Sequence, residues 1–317
     1  MTSGSYESAL AAIAAERRDI IVMTAENRAP IRHLPALLGE RFVDVGICEQ
    51  TLVGAAAGLA LRGRTPVAHA LAAFLVMRAY EFIRTDVGIG RLPVKLVGYV
   101  PGFLSEGNGP THQAIEDVAL MRGIPGMQVF CPADEAELVA GLPAILASPQ
   151  PCYVRYNALP PVCEHPAPFS IGRAECVAEG DGVAILTYGL MLREALRARA
   201  ILEARHVPVQ VLNLRMLKPL DEPAVLAAAR GTELLVTLED HLLTGGLHSI
   251  VAELLVRSGV RARLLALGLE ERWFRPAPLP AVLRHEGLSG ARVAERILET
   301  LIRPLPFHSG SSPCPIE

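Results

Sequence analysis

The sequence has little lysine, little tryptophan and no long apolar run. Its 317 residues include only two lysines, Lys95 and Lys218, and one tryptophan, and its net charge is -3. This balance gives no basic field of the kind that binds nucleic acid. Apolar stretches such as TLVGAAAGLAL, residues 51–61, are too short to span a bilayer, and the N-terminus lacks a basic segment followed by an apolar core. We therefore expect a cytoplasmic protein that binds neither nucleic acid nor membrane.

Paired cysteines are also missing. None of the six cysteines forms a CxxC pair, and most have apolar neighbours. A disulfide framework or a zinc site would need such spacing. The six are Cys48, Cys131, Cys152, Cys163, Cys176 and Cys314. We expect reduced thiols that serve in packing.

The sequence does contain short apolar runs that alternate with longer segments of helical period. Runs such as DIIVMTA, TPVAHAL and GVAILTYG are continuously apolar, as buried parallel strands are. The pattern occurs twice, separated by the proline-rich stretch ALPPVCEHPAPFSIGRAE. It predicts an α/β protein with two doubly wound, mainly parallel-sheet domains, at residues 1–165 and 166–305, and a disordered tail at residues 306–317.

One carboxylate stands where an apolar strand meets a run of small residues, in FVDVGICEQTLVG. Glu49 begins a predicted helix that continues with glycines and alanines, which would let another helix or subunit approach closely. Glu49 could merely complement the helix N-terminus, a contribution of about 0.3–1 kcal/mol. Alternatively, it is a desolvated acid at a subunit contact with a proton to manage.

Three blocks resemble a known family. RFVDVGICEQTLVGAAAGLALRGRTPVAHA and GNGPTHQAIEDVALMRGIPGMQVFCPADEAE are similar to the pyrimidine-binding domain of the transketolase family of thiamine-diphosphate enzymes, which includes deoxyxylulose-5-phosphate synthase. VLNLRMLKPLD, followed by VTLEDHLLTGGLHSIVAELL, resembles the C-terminal domain of that family. The resemblance extends from about residue 8 to residue 303, and it implies a pyrimidine-binding domain followed by a transketolase C-terminal domain.

The resemblance implies roles for two cofactor-binding residues. Glu49 matches the acid that bonds N1′ of the thiamine pyrimidine and favours the tautomer that takes the thiazolium C2 proton, which makes it catalytic as well. Phe74 matches an aromatic residue that lies against the pyrimidine ring, although a core phenylalanine is the alternative. Related sequences carry another aromatic residue where this one has Leu71.

Three further residues match substrate-binding positions. His112, in GPTHQ, matches a catalytic histidine near the reacting carbon and the substrate hydroxyls. Arg155 matches an arginine that holds a substrate phosphate, with a salt-bridging role equally open. Asn108 stands where relatives commonly have an aspartate that contacts the donor ketose, and Val100 or Pro101 stands where many have a histidine. These departures favour a non-standard ketose or 2-oxo acid as donor.

The family's diphosphate motif has no convincing match. The sequence GDG at residues 180–182 falls directly before an apolar run and is predicted to be a surface turn. We therefore expect no metal site in this chain. A separate N-terminal-type transketolase subunit would hold the diphosphate and Mg²⁺, in an α2β2 heterotetramer that is active only when assembled.

Three functions remain open from the sequence. The first is the small subunit of a split transketolase that transfers a two-carbon ketol unit. The second is a β subunit of an acyloin-forming or dehydrogenase enzyme that acts on 2-oxo acids. The third is a non-catalytic structural homologue, against which Glu49 and His112 argue. Glu239, Asp240 and His241, in EDHLLTGG, are predicted to have a structural or subunit-contact role.

Overall fold

The computed structural model describes residues 4–165 and 168–302, which form two sheets covered by helices. Strands and helices are numbered in chain order. The sheets comprise β1 (Ile20–Thr24), β2 (Phe42–Asp44), β3 (Thr65–Leu71), β4 (Lys95–Tyr99), β5 (Gln128–Phe130), β6 (Cys152–Arg155), β7 (Glu175–Ala178), β8 (Val183–Thr187), β9 (Val209–Asn213), β10 (Met216–Lys218), β11 (Leu234–Leu242) and β12 (Leu264–Leu269).

Both sheets are parallel apart from one edge strand each. The seven-stranded sheet has the order β10-β5-β6-β4-β3-β1-β2, and the five-stranded sheet has the order β12-β11-β8-β9-β7. Strands β10 and β7 are the antiparallel edges. The predicted class, α/β with two mainly parallel sheets, is confirmed. The runs DIIVMTA, TPVAHAL and GVAILTYG form β1, β3 and β8, whereas β7 and β10 had no recognised signal.

The helices cover these sheets. They are α1 (Tyr6–Glu16), α2 (Leu34–Leu38), α3 (Glu49–Leu61), α4 (Tyr80–Phe82), α5 (Asp117–Arg122), α6 (Glu135–Ala147), α7 (Met191–Glu203), α8 (Glu222–Gly231), α9 (Leu247–Arg257), α10 (Leu279–His285) and α11 (Gly290–Ile302). Two π-helical turns, Phe74–Arg78 and Ile83–Ile89, flank α4. None of the helices in residues 4–165 and 168–302 is both long and apolar enough to cross a bilayer.

Helix α3 buries one face and exposes a face of small side chains. Leu52, Val53 and Ala56 are buried against the sheet, whereas Ala55 and Gly58 are exposed on the other side. The helix ends where Gly63 takes a φ of 77°, a left-handed conformation that suits glycine. This geometry is compatible with the close approach of another helix that the sequence suggested.

The two halves share structure. Strand β10 belongs to the second half of the chain but pairs with β5 in the first sheet. The predicted domain limits at residues 165 and 166 therefore stay a prediction, since the second half also extends the first sheet. The predicted tail at residues 306–317, with Cys314, lies outside the described residues.

Candidate active site

A cavity of about 320 Å³ opens at the carboxyl ends of three neighbouring parallel strands. The carboxyl edge of a parallel sheet is where α/β proteins commonly bind ligands. The segment after β1 forms one wall, the turn after β2 a second, and the end of β3 a third. The lining residues are Ala25, Glu26, Asn27, Ile47, Glu49, Leu71 and Phe74.

Glu49 lies in this cavity at the first position of α3, and its residue exposure is only 2%. Its Oε2 atom accepts a hydrogen bond of 2.8 Å from Nη1 of Arg78. The Arg78 guanidinium carbon also lies 4.4 Å from the centroid of the Phe74 ring. A carboxylate in a helix cap would be open to water, whereas this one is buried beside an aromatic ring.

Phe74 links Glu49 to His112. The Phe74 and His112 rings meet edge to face, with centroids 4.9 Å apart. His112 lies in a 3-10 turn, Pro110–His112, and its Nδ1 is 2.9 Å from the Thr111 hydroxyl. The fold therefore brings together three of the predicted site residues, although they are separated by 25 and 38 positions in sequence.

Asn108 does not line the cavity. It is exposed, four residues before His112, at the end of the 3-10 segment Gly102–Asn108. The backbone here is irregular: Glu106 has a φ of 45° and Val100 a φ of 49°. A β-branched residue such as valine rarely takes that conformation. The surrounding contacts thus hold this segment in an unfavourable shape.

Arg155 is placed differently from the other four residues. It is 3% exposed, and it forms ion pairs with Asp117 at 2.9 Å and with Asp240 at 2.5 Å. Both carboxylates are fully buried. Although burial lowers it, the pKa of Arg155 is raised overall by Asp117 and Asp240. These contacts favour the salt-bridging role that the sequence left open over a substrate-binding role.

Two residues that the sequence analysis did not single out contribute to the cavity. Asp44, the last residue of β2, accepts backbone hydrogen bonds from Glu26 and Gly46 and forms an ion pair with Arg28. It thereby ties two walls together. Arg78 is the other residue. It follows Phe74 by four positions on a helical segment, a spacing that brings two side chains together, so the sequence could have predicted this contact.

The acidic run in β11 has structural contacts. Glu239 accepts backbone hydrogen bonds from Leu247 and His248 at the start of α9. His241 Nε2 accepts one from the Ala119 N–H. The GDG sequence forms the turn between β7 and β8, where Gly180 packs against the backbone of Val209.

One group of side chains has the spacing of a metal site. Single ligand atoms of Glu137, His165 and Glu175 lie within 4.8 Å of one another. However, His165 already bonds Glu175 at 2.7 Å and Asp134 at 3.0 Å, and Arg215 pairs with Glu137 at 3.3 Å. The protein's own cations therefore balance these carboxylates.

The residues of the cavity suit an aminopyrimidine. A buried carboxyl group can bond a ring nitrogen, and the Phe74 face offers a stacking surface in a space of small-molecule size. A diphosphate and its metal would need further phosphate-binding groups.

Family comparison agrees with this geometry. Residues 1–159 match the model of the transketolase pyrimidine-binding domain, and residues 172–293 match that of the transketolase C-terminal domain. The chain belongs to the transketolase family. Membership in this family implies thiamine diphosphate as the cofactor.

Individual relatives are similar along most of the chain. A 6-deoxy-6-sulfo-D-fructose transketolase subunit of Clostridium sp. (strain MSTE9) is 42% identical over 217 residues, 68% of this chain and 67% of that protein. A 1-deoxy-D-xylulose-5-phosphate synthase of Thermomicrobium roseum is 38% identical over 303 residues, 93% of this chain but 48% of the synthase. The chain thus spans about half of the synthase.

A solved structure, described as a split gene transketolase, inactive beta4 tetramer, matches with a TM-score of 0.85 and 34% identity. The match covers 94% of this chain and 97% of that one. The shared fold thus extends across both sheets.

Proposed function

We propose that this chain is the pyrimidine-binding subunit of a split, thiamine-diphosphate-dependent transketolase that transfers a two-carbon ketol unit. The observation that carries the proposal is the buried Glu49 carboxyl group beside the Phe74 ring, within reach of His112. When bound, thiamine diphosphate supplies the carbon centre that takes up the ketol unit. A partner chain of N-terminal type holds its diphosphate and Mg²⁺, and the assembly is α2β2.

Each residue of the chain has a distinct task in this proposal. Glu49 holds a proton at the pyrimidine nitrogen, because its buried position excludes competing water. Phe74 orients the ring by stacking. His112, at the edge of Phe74, bonds the hydroxyl groups of the donor. Asn108, on the segment before His112, discriminates between donors. Arg155 holds the two halves of the chain together and does not contact the substrate.

The donor is a ketose that differs from the common sugar phosphates. Asn108 stands where an aspartate, and Val100 or Pro101 where a histidine, recognises those donors in the family. The similarity to a subunit that acts on 6-deoxy-6-sulfo-D-fructose supports such a donor class. The donor and acceptor themselves are to be found by screening ketoses against the assembled enzyme.

A second candidate is an acyloin-forming enzyme that acts on a 2-oxo acid. The 38% identity to a 1-deoxy-D-xylulose-5-phosphate synthase over 93% of the chain favours it. Release of CO₂ from a 2-oxo acid by the assembled complex would select this candidate, and ketol transfer without CO₂ release would select the first.

The decisive test is Glu49→Gln in the assembled complex. Glutamine keeps the shape and can hydrogen-bond but cannot supply the acid proton, so exchange of the cofactor C2 proton should slow by about 10²- to 10⁴-fold. Hydrogen–deuterium exchange followed by NMR measures this directly. Glu40→Gln, an exposed glutamate before β2, serves as control. Equal exchange rates in Glu49→Gln and wild type would make Glu49 a structural residue and overturn the proposal.

A further inference from the structure

The Arg78 side chain contacts both Glu49 and Phe74, the two residues that bind the pyrimidine ring in the proposed function. Arg78 donates a hydrogen bond to Glu49 and lies over the Phe74 ring, at 2.8 Å and 4.4 Å respectively. A guanidinium is planar, carries several N–H donors and stacks on aromatic faces. Arg78 therefore makes with these two residues the same kinds of contact that an aminopyrimidine would make.

We propose that Arg78 is an internal placeholder for the cofactor's pyrimidine ring. This inference rests on the proposed function. In the cofactor-free chain the guanidinium bonds the Glu49 carboxylate and covers the Phe74 face. It must move away before a pyrimidine can contact either residue. Arg78 thereby competes with the cofactor, and its release is a step of cofactor binding.

The placeholder has a physical reason. An ionised carboxylate that is 2% exposed is costly without a partner, and the guanidinium supplies one. When Arg78 leaves, the Oε2 atom of Glu49 becomes open to a hydrogen bond with the ring nitrogen. One movement would thus clear the stacking face and change the electrostatic surroundings of the acid.

Arg78 is also free to move. Its side chain is 42% exposed, and Glu49 is the only ion-pair partner it has within residues 4–165 and 168–302. It lies at the end of a π-helical turn, next to Ala79, whose backbone departs from helical geometry with a φ of -103° and a ψ of 14°. Water at the half-exposed guanidinium weakens its side of the ion pair, so a ligand that gives Glu49 a new partner can break the contact.

Binding of thiamine diphosphate to the full chain tests the competition. By calorimetry, Arg78→Ala should bind about 3- to 30-fold tighter than wild type, because the ion pair with Glu49 and the cation–π contact with Phe74 no longer oppose the ligand. Arg78→Lys keeps the charge but not the planar stack, and it should fall between the two. Arg84→Ala is the matched control, since Arg84 is an exposed arginine on the second π-helical turn, Ile83–Ile89, and should bind as wild type does.

A second measurement follows Arg78 itself. The side-chain ¹⁵N resonances of Arg78 should show restricted rotation in the free chain and lose it when thiamine diphosphate is added. Unchanged resonances, or Arg78→Ala binding no tighter than wild type, would overturn the placeholder while leaving the proposed function intact. Failure of every variant to bind thiamine diphosphate, with and without the partner subunit, would overturn the proposed function and the placeholder with it.

Discussion

Arg78 and Arg155 both pair with carboxylates, but in very different surroundings. Arg78 lies at the rim of the cavity with its side chain 42% exposed and one carboxylate partner. Arg155 lies at the junction of the two sheets with 3% exposure and two partners, Asp117 from the first half and Asp240 from the second. Its guanidinium also lies 5.4 Å from the Tyr188 ring.

The difference teaches how burial decides what an ion pair can do. In a pair with one half-exposed member, that member exchanges its partner for water at little cost. A cluster of three charged groups that are all removed from water has no such exchange, and loss of one member leaves charges that nothing compensates. The rim can therefore be rearranged by a ligand, while the junction holds its shape.

The junction also fixes the segment that carries His112. Gln113 donates to the Phe274 carbonyl at 2.9 Å, and the Leu242 N–H donates to the Ile115 carbonyl at 2.9 Å. Gly102 approaches Asp240 so closely that a side chain would collide with its carboxylate. We infer that the second half positions the segment that carries His112, while the half-exposed Arg78 leaves the rim of the cavity adjustable.

The largest expected effect comes from breaking the junction pair. Arg155→Met leaves Asp117 and Asp240 buried without a cation, so the free energy of unfolding should fall by about 3–5 kcal/mol. Urea denaturation at fixed protein concentration measures it. Glu253→Gln, which breaks the exposed junction pair with Arg122, should cost under about 1 kcal/mol. The comparison between rim and junction fails if Arg155→Met costs no more than Arg78→Ala.

The second prediction uses pH to probe another cluster of charged side chains, which consists of Asp134, Glu137, His165 and Glu175. Hydrogen bonds that the His165 ring donates to Asp134 and Glu175 raise the pKa of His165 to about 10. Because the pKa of His165 is higher in the folded chain than in the unfolded chain, where it is near 6.5, the charged histidine stabilises the fold fully below pH 6.5. That stabilisation is lost as the pH rises toward 10. Burial raises the pKa of Glu137 to about 7, so the stability that the protonated Glu137 contributes is likewise lost as the pH rises from 4.5 to 7.

The difference between wild type and His165→Gln isolates the histidine. The gap in unfolding free energy should be widest at pH 6 and should narrow by about 1.5–3 kcal/mol toward pH 10, as hydrogen bonds to a charged group become bonds to a neutral one. Urea denaturation at pH 6, 8 and 10 gives the three gaps. A gap that stays constant would mean that His165 is neutral in the folded chain.

The smallest effect concerns the exposed Asn108, at the end of the segment Gly102–Asn108. An amide both donates and accepts, whereas a carboxylate only accepts. Asn108→Asp should therefore shift the ratio of kcat/KM between a ketose phosphate and the native donor by about 1–3 kcal/mol toward the phosphate. An unchanged ratio in the assembled enzyme would remove Asn108 from donor selection. Since Asn108 is exposed, folding stability should stay as in wild type.

The sequence by itself determined the fold class and predicted Glu49 and Phe74, which line one cavity. Continuous apolar runs identify buried parallel strands because burial on both faces leaves no polar position. The motif around Glu49 gave the family, and with it Phe74 and His112. These features are local, and each can be recognised within a window of a few residues.

Only the tertiary structure showed the contacts of the two arginines. Arg155 pairs with Asp240, 85 positions away, and no local pattern indicates that pairing. The edge strand β10 is equally hidden, because three residues carry too little periodicity and its partner β5 lies in the other half of the chain. The four-residue spacing of Phe74 and Arg78 could have predicted their contact. The contact of Arg78 with Glu49, however, depends on how α3 packs against the following segment. Long-range contacts depend on how chain segments pack, and local composition does not record that.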